Sequence, residues 1–247
     1  MNKYKLIISY DGTNYFGWQI QKNKITIQEI IQKVLKKILQ ENITIYAAGR
    51  TDAKVHATGQ VAHFTSKKEI NLKQFLFSLN SLLPPDIRVL KIFEVDSKFH
   101  ARFSAKGKIY RYHLSMLDIQ TPFSRLYSYK TVDKIDIDLL KKASFSFLGR
   151  HDFSSFANKQ YQGSALNSPI KTIKRIDIIE NKNEIILEFE ADGFLYKMVR
   201  NIVGAMLSCA SKKMPIENIE KILKAKDRKL SAAPASAHAL FLVKVLY

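Results

Sequence analysis

A chain of 247 residues that is 46% hydrophobic and 11% aromatic can bury a sizeable core and is too apolar to be a disordered polymer. Its 40 Lys and Arg against 22 Asp and Glu leave a net charge of +18. That excess costs self-repulsion and points to a polyanionic partner, nucleic acid ahead of an anionic membrane surface. No apolar run approaches the ~18 residues of a membrane span, and the N-terminus lacks the form of a signal peptide. The one cysteine, Cys209, excludes an intramolecular disulfide. The expected location is the cytoplasm, with no membrane partner.

The first segment, "KYKLIISYDG", alternates as a strand and turns at Asp11-Gly12. Thr26 then opens a helix, and Glu29 three residues later completes a capping-box pattern. Ile27, Ile30, Ile31, Val34, Leu35, Ile38 and Leu39 follow at helical spacing. Strands are expected near 43–47, 60–65 and 87–95, with a helix at 72–82 that stops before Pro84-Pro85. "KGKIYRYHLSM" is a strand with Tyr110, Tyr112 and Leu114 on one face and Ile109, Arg111 and His113 on the other. A helix over 136–148 precedes a hairpin that turns at Asn181-Lys182-Asn183. A long helix runs from about Phe194 to Ser211, a shorter one follows Pro215, and "ALFLVKVLY" is a final strand.

No Pro/Gly/Ser-rich linker interrupts the chain, and strands and helices do not alternate strictly, which argues against a doubly wound parallel sheet. The expected class is α+β. Two related halves, 1–105 and 106–247, would share one continuous, mostly antiparallel sheet flanked by helices, with a central cleft as the ligand site.

The chemistry narrows by what is missing. There is no GxxxxGK[ST] loop, no HExxH and no cluster of paired acids, and His56 and His63 make an unconvincing metal pair. No metal site is expected, and a metal-dependent nuclease is weakly supported. The stretch "AAGRTDAKVHATGQ" sets Asp52 among Arg50, Lys54 and His56. Asp52 could simply pair with Arg50 or cap a turn. However, Ala47, Ala48, Gly49, Ala53 and Ala57 suggest an open approach for a flat substrate, and the neighbouring cations favour an ionised, nucleophilic carboxylate.

In "DGFLYKMVRNIVGAMLS", Lys197, Arg200, Asn201, Gly204 and Ser208 form one polar stripe on an otherwise apolar helix. A guanidinium there needs an acceptor, and Asp52 is a candidate, the alternative being an arginine that reaches solvent at one edge. Tyr110, between Lys108 and Arg111, is either ordinary packing or a base-stacking platform flanked by phosphate contacts.

Six segments in order, "SYDGTNYFGWQIQ", "AAGRTDAKVHATGQVAHF", "FHARFSAKGKIYRYHL", "GRHDFSSFAN", "DGFLYKMVRNIVGAML" and "APASAHALFLVKV", resemble the tRNA pseudouridine synthase A family across nearly the whole chain. The resemblance implies a pseudouridine synthase fold with pseudo-twofold halves, no cofactor and a homodimer. It implies isomerisation of uridine to pseudouridine in the anticodon stem-loop of tRNA (positions 38–40), with the target base flipped into the cleft. By the same resemblance Asp52 matches the catalytic aspartate, Arg200 the arginine paired with it, Arg50 an arginine that helps flip the nucleotide, Tyr110 the residue contacting the target base, and Leu240 an apolar pocket residue. Lys54 stands where the family usually has glycine, Lys197 where it has histidine and Ala239 where it has glycine. The lysine at 54 is expected to leave the backbone less strained and the site more positive. A non-catalytic RNA-binding protein is the other alternative, beside the nuclease.

Overall fold

Strict alternation governs the first strand, β1 (Asn2–Tyr10), where Tyr4, Leu6, Ile8 and Tyr10 are buried and the residues between them are half-buried. This is seen in a computed structural model, which describes residues 1–158 and 168–247. The chain divides into two compact units, Met1–Lys106 with Phe241–Tyr247, and Gly107–Leu240.

In the first unit β1 is followed by α1 (Ile27–Leu39), β2 (Tyr46–Ala47), β3 (His56–Ser66), α2 (Leu72–Leu82) and β4 (Ile87–Val95). β1 lies antiparallel between β3 and β4, and the short β2 pairs antiparallel with β3. The apolar stripe of α1 buries Ile27, Ile31, Val34, Leu35 and Leu39, as its spacing predicts. Its start differs from expectation: Thr26 makes no side-chain cap bond, and Glu29 pairs with Lys33 at 2.6 Å. Thr26 is fully buried with its hydroxyl unpartnered, so the reciprocal capping box does not form. Helix α2 has the expected bounds and a working cap, the Asn71 Oδ1 accepting from the Gln74 N–H at 3.1 Å.

The second unit holds β5 (Gly107–Ser115), β6 (Tyr129–Lys130), α3 (Ile137–Phe145), β7 (Gly149–Asp152), β8 (Ile170–Asn181), β9 (Glu184–Ala191), α4 (Met198–Ala210) and α5 (Glu217–Ala225). Its sheet runs β5-β9-β8-β7, antiparallel throughout, with β6 parallel against β5. The hairpin turn is tighter than expected: Asn181 pairs with Glu184, leaving only Lys182 and Asn183 in the loop. Helix α4 begins at Met198 rather than Phe194. Lys197, its N-cap, is left-handed at φ 60°, and a turn from Leu195 to Met198 stands where the first helical turn was expected. The last strand, β10 (Leu240–Leu246), runs parallel to β3 in the first unit, Phe241 opposite His56 and Leu242 opposite Ala57. The protein is therefore α+β with mostly antiparallel strands, each unit showing one parallel pairing among its described strand pairs. Among the described residues no helix is long and apolar enough to cross a membrane.

On β3, His63 is buried and its Nδ1 accepts the Ala101 N–H at 3.1 Å. Burial first, then the neighbouring His100 and Lys3, lowers its pKa to about 4, and that of His100 is also lowered, mainly by burial. The unfolded chain binds a proton near pH 6.5 that folded His63 refuses. Stability from this group is thus complete above that pH and lost as the pH falls towards 4. Urea unfolding followed from pH 7.5 to 4 is expected to show this decline, and His63→Asn, which retains an acceptor, should make the slope shallower.

Candidate active site

The Asp52 loop joins β2 to β3, and nearly every residue in it is held by its main chain or by a buried side chain. The Ala48 N–H donates to the Val61 carbonyl at 2.8 Å. Gln60, wholly buried on β3, donates from Nε2 to the Gly49 carbonyl at 2.8 Å. The Thr51 hydroxyl bonds the buried Tyr10 hydroxyl at 2.8 Å, and burial raises the Tyr10 pKa to about 12, which keeps the phenol protonated. The Trp18 N–H donates to the Thr51 carbonyl at 3.1 Å and the Lys54 N–H to the Tyr15 carbonyl at 3.2 Å. Finally the Val55 N–H closes a turn onto the Asp52 carbonyl at 3.2 Å.

The bed beneath this loop is the segment after β1, "DGTNYFGW". Gly17 has φ +84°, and a Cβ there would lie 2.5 Å from the Thr51 carbonyl oxygen and 2.9 Å from the Asp52 carbonyl carbon. A Cβ on Gly12 would meet the Val55 carbonyl oxygen at 2.1 Å. The two glycines thus let one backbone lie directly on another. His56 continues the clamp, its Nδ1 accepting the Gly12 N–H at 3.0 Å while its ring stacks on Phe241 of β10, centroids 4.5 Å apart.

The side chains at the loop are distributed differently from expectation. Ala48 and Ala57 are buried, so their small size serves packing. Ala53 alone of the five small residues is exposed, beside the half-buried Asp52 and the exposed Arg50 and Lys54. Lys54 also reverses the sequence expectation: it sits at φ 65°, the left-handed conformation that glycine tolerates best, so its backbone is the more strained one.

In the second unit, Tyr110 is buried on β5, opposite Phe189, and meets the Phe194 ring edge to face at 5.1 Å. The face assignments along β5 hold, but Arg111 does not serve as a spare phosphate contact. Its Nε donates to Glu188 at 2.6 Å, and Arg175 reaches the same carboxylate at 2.7 Å. Burial opposes ionisation of Glu188, yet the two guanidiniums hold its carboxyl below the usual range.

Arg200 on α4 is half-buried; its Nε donates to the Ala235 carbonyl at 2.8 Å, and the Ala235 N–H returns to the Arg200 carbonyl at 2.9 Å. Gly204, one turn on, admits the Ala233 carbonyl so closely that a Cβ would lie 2.1 Å from it. Asn201 is fully buried, donating to the Phe156 carbonyl at 2.8 Å and accepting from Arg228 at 2.9 Å. The polar stripe of α4 is therefore the dock for segment 228–239. That segment turns through Ala237–Ala239 against β5, with the His238 ring bonded to the Ser236 hydroxyl at 2.8 Å, and delivers the buried Leu240. Tyr110, Arg200 and Leu240 thus belong to one unit, and Arg50 and Asp52 to one loop of the other. Sequence reasoning missed Gly12, Gly17, Gln60 and the Asn201–Arg228 pair. Glycines spaced between aromatics after a strand, and a glutamine inside an otherwise apolar strand, were the available signals. Among the described residues no three His, Cys, Asp or Glu side chains are grouped so as to hold a metal ion.

The chain matches the family described as tRNA pseudouridine synthase over residues 6–104 and 143–247, and it belongs to that family, whose members are isomerases acting on tRNA. Within it the chain is 49% identical to tRNA pseudouridine synthase A 1 of Protochlamydia amoebophila, covering all of this chain and 97% of the relative. It is 40% identical to tRNA pseudouridine synthase A of a Thermoanaerobacter species, each covered over its full length. It is 41% identical to that of Chlamydia felis, covering all of this chain and 92% of the relative.

Two substitutions probe the loop. Lys54→Gly relieves the left-handed strain and is expected to stabilise the protein by ~1 kcal/mol, seen as a rise in Tm of roughly 2–4 °C for a chain of this size. Gly17→Ala forces a Cβ into the Thr51–Asp52 backbone. It should cost ~1–3 kcal/mol in urea unfolding and, in a tRNA pseudouridine assay, lower kcat well beyond any change in KM.

Proposed function

We propose that this tRNA pseudouridine synthase modifies uridines on the 3′ side of the anticodon stem-loop and that Asp52 is its nucleophile. The observation that carries the reading is the half-buried Asp52 beside an exposed alanine, on a loop whose backbone is bonded on both flanks. A carboxylate so preorganised loses little freedom when substrate arrives.

The net reaction exchanges the C1′–N1 bond of uridine for a C1′–C5 bond. N1 gains a proton and C5 loses one, so electrons balance without an oxidant, reductant or cofactor. Asp52 attacks C1′ or C6, or assists a glycal-like intermediate. Hydrolytic glycosidases generally need two carboxylates because a water must be activated; a lone acid suits an isomerase that retains the detached base. Extruding the uridine from its stack costs a few kcal/mol. In this reading Arg50 helps the nucleotide flip, Tyr110 contacts the extruded base, Leu240 lines its apolar pocket and Arg200 pairs with Asp52. The positive charge of the chain holds the RNA. The enzyme works in the cytoplasm as a homodimer.

Asp52→Asn is expected to lower pseudouridine formation by at least ~10³-fold, the scale on which loss of a nucleophile acts, with tRNA binding retained. Undiminished turnover in that variant would remove Asp52 from the chemistry, leaving the protein's activity to another group. Mapping pseudouridines in tRNA from cells with and without the protein identifies the positions. Running the assay in EDTA while inspecting the RNA for strand breaks separates isomerisation from a nuclease. Affinity should fall steeply between ~50 and 200 mM salt as released counterions lose their entropic advantage.

A further inference from the structure

Away from Asp52 but in the same unit, residues 99–104 form a loop with unusually firm support. The His63 Nδ1 holds the Ala101 N–H at 3.1 Å, and the Tyr247 hydroxyl donates to the Ala101 carbonyl at 2.7 Å. The His100 Nδ1 accepts the Arg102 and Phe103 N–H groups at 3.2 and 3.3 Å, and the Ser104 N–H closes on the His100 carbonyl at 2.9 Å. This support presents a phenylalanine to water: Phe103 is 74% exposed.

Phe103 belongs to a connected row of rings. Its centroid lies 4.3 Å from that of His100, which is 6.0 Å from Tyr46, itself 52% exposed on β2, and Tyr46 stacks at 5.4 Å on His63. The Arg102 guanidinium sits 5.8 Å from the Phe103 ring centre. Arg102 is half-buried, and burial first, then the charge of Arg50, lowers its pKa. Neither Arg50 nor Arg102 makes an ion pair among the described residues. From Ser97 to Leu117 the sequence contains Lys98, Arg102, Lys106, Lys108 and Arg111 and not one acid. Exposed rings on a firmly bonded loop, with cations alongside, match the requirements of an unpaired base and its phosphate.

We propose that the ledge of Tyr46, His100 and Phe103 is a second nucleotide subsite, which stacks an unpaired base of the RNA on Phe103 and sets its phosphate against Arg102. This deepens the tRNA reading and rests on the RNA being the substrate. The subsite binds a base other than the one isomerised, so it sets affinity and register while leaving the bond-breaking step alone.

The test uses an anticodon-arm hairpin with 2-aminopurine placed at successive loop positions, whose fluorescence is quenched by stacking. Wild-type protein should quench one position other than the modified uridine. Phe103→Leu, which keeps an apolar side chain without a ring, should restore that fluorescence and raise KM for tRNA roughly 5- to 150-fold, the equivalent of ~1–3 kcal/mol of stacking per base. Its kcat should stay within about twofold of wild type, and Phe103→Trp should preserve the quench. Arg102→Ala should weaken binding to every loop sequence and reduce the salt slope by about one. Unchanged quenching and KM in Phe103→Leu would overturn the subsite while leaving the pseudouridine assignment intact. The same holds if Phe103→Leu alters only the sedimentation of the protein, which would make the ledge a contact between proteins. Should wild-type protein form no pseudouridine but still show a Phe103-dependent quench, the functional reading fails and the subsite stands.

Discussion

Main chain lying directly on main chain is the constraint from which the rest of this site follows. Gly12 and Gly17 carry no Cβ, and the space saved is filled by the carbonyls of Val55 and Thr51. One consequence comes from that contact. The loop can satisfy its own polar groups internally, through Trp18, Tyr15, Gln60 and Tyr10, although it belongs to no regular element. Its side chains at 50, 53 and 54 are also exposed, with that of Asp52 half-buried among them. A side chain on a loop is usually less well fixed than one on a strand; here the main chain of the loop is bonded along most of its length.

The second unit solves a similar problem with similar means. Gly204 admits the Ala233 carbonyl, and Arg200 binds Ala235 through both its main chain and its side chain. Segment 228–239 has little regular structure, but Arg228 bonds the buried Asn201 and His238 the carbonyl of the buried Ser128. Of the residues that the family resemblance singles out, Arg200 bonds this docked segment at Ala235, and Leu240 follows directly after it. In both units, stretches outside the regular elements take their conformation from neighbouring backbone.

Much of this was legible before the structure. Alternation in β1 and β5 and helical spacing in α1 are direct readings of which side chains avoid water, and they hold. The failures occur where a local rule met a tertiary demand. Thr26 has the right identity and spacing for a capping box, but burial at the end of the Gly17–Trp18 clamp leaves Glu29 to pair with Lys33 instead. The start of α4 was placed too early because apolar periodicity extends through Leu195 and nothing in a lysine announces a left-handed turn. The same holds for Lys54, whose positive φ no feature of its sequence signals. The alanines around Asp52 suggest an opening for substrate, yet Ala48 and Ala57 are buried and serve packing, and only Ala53 is exposed. Composition cannot distinguish a small residue that clears a path from one that permits close packing.

Strand β10 introduces a dependence of timing. It pairs with β3 at His56 and Ala57, immediately after the Asp52 loop, and its Phe241 covers the His56 ring. In synthesis the ribosome delivers Asp52 early and this strand only after the entire second unit. The amino-terminal sheet therefore waits, one edge unpaired, while the intervening residues emerge and fold. A nascent chain interrupted before residue 241 would contain every acidic and basic group of the Asp52 loop yet lack the ribbon that braces it.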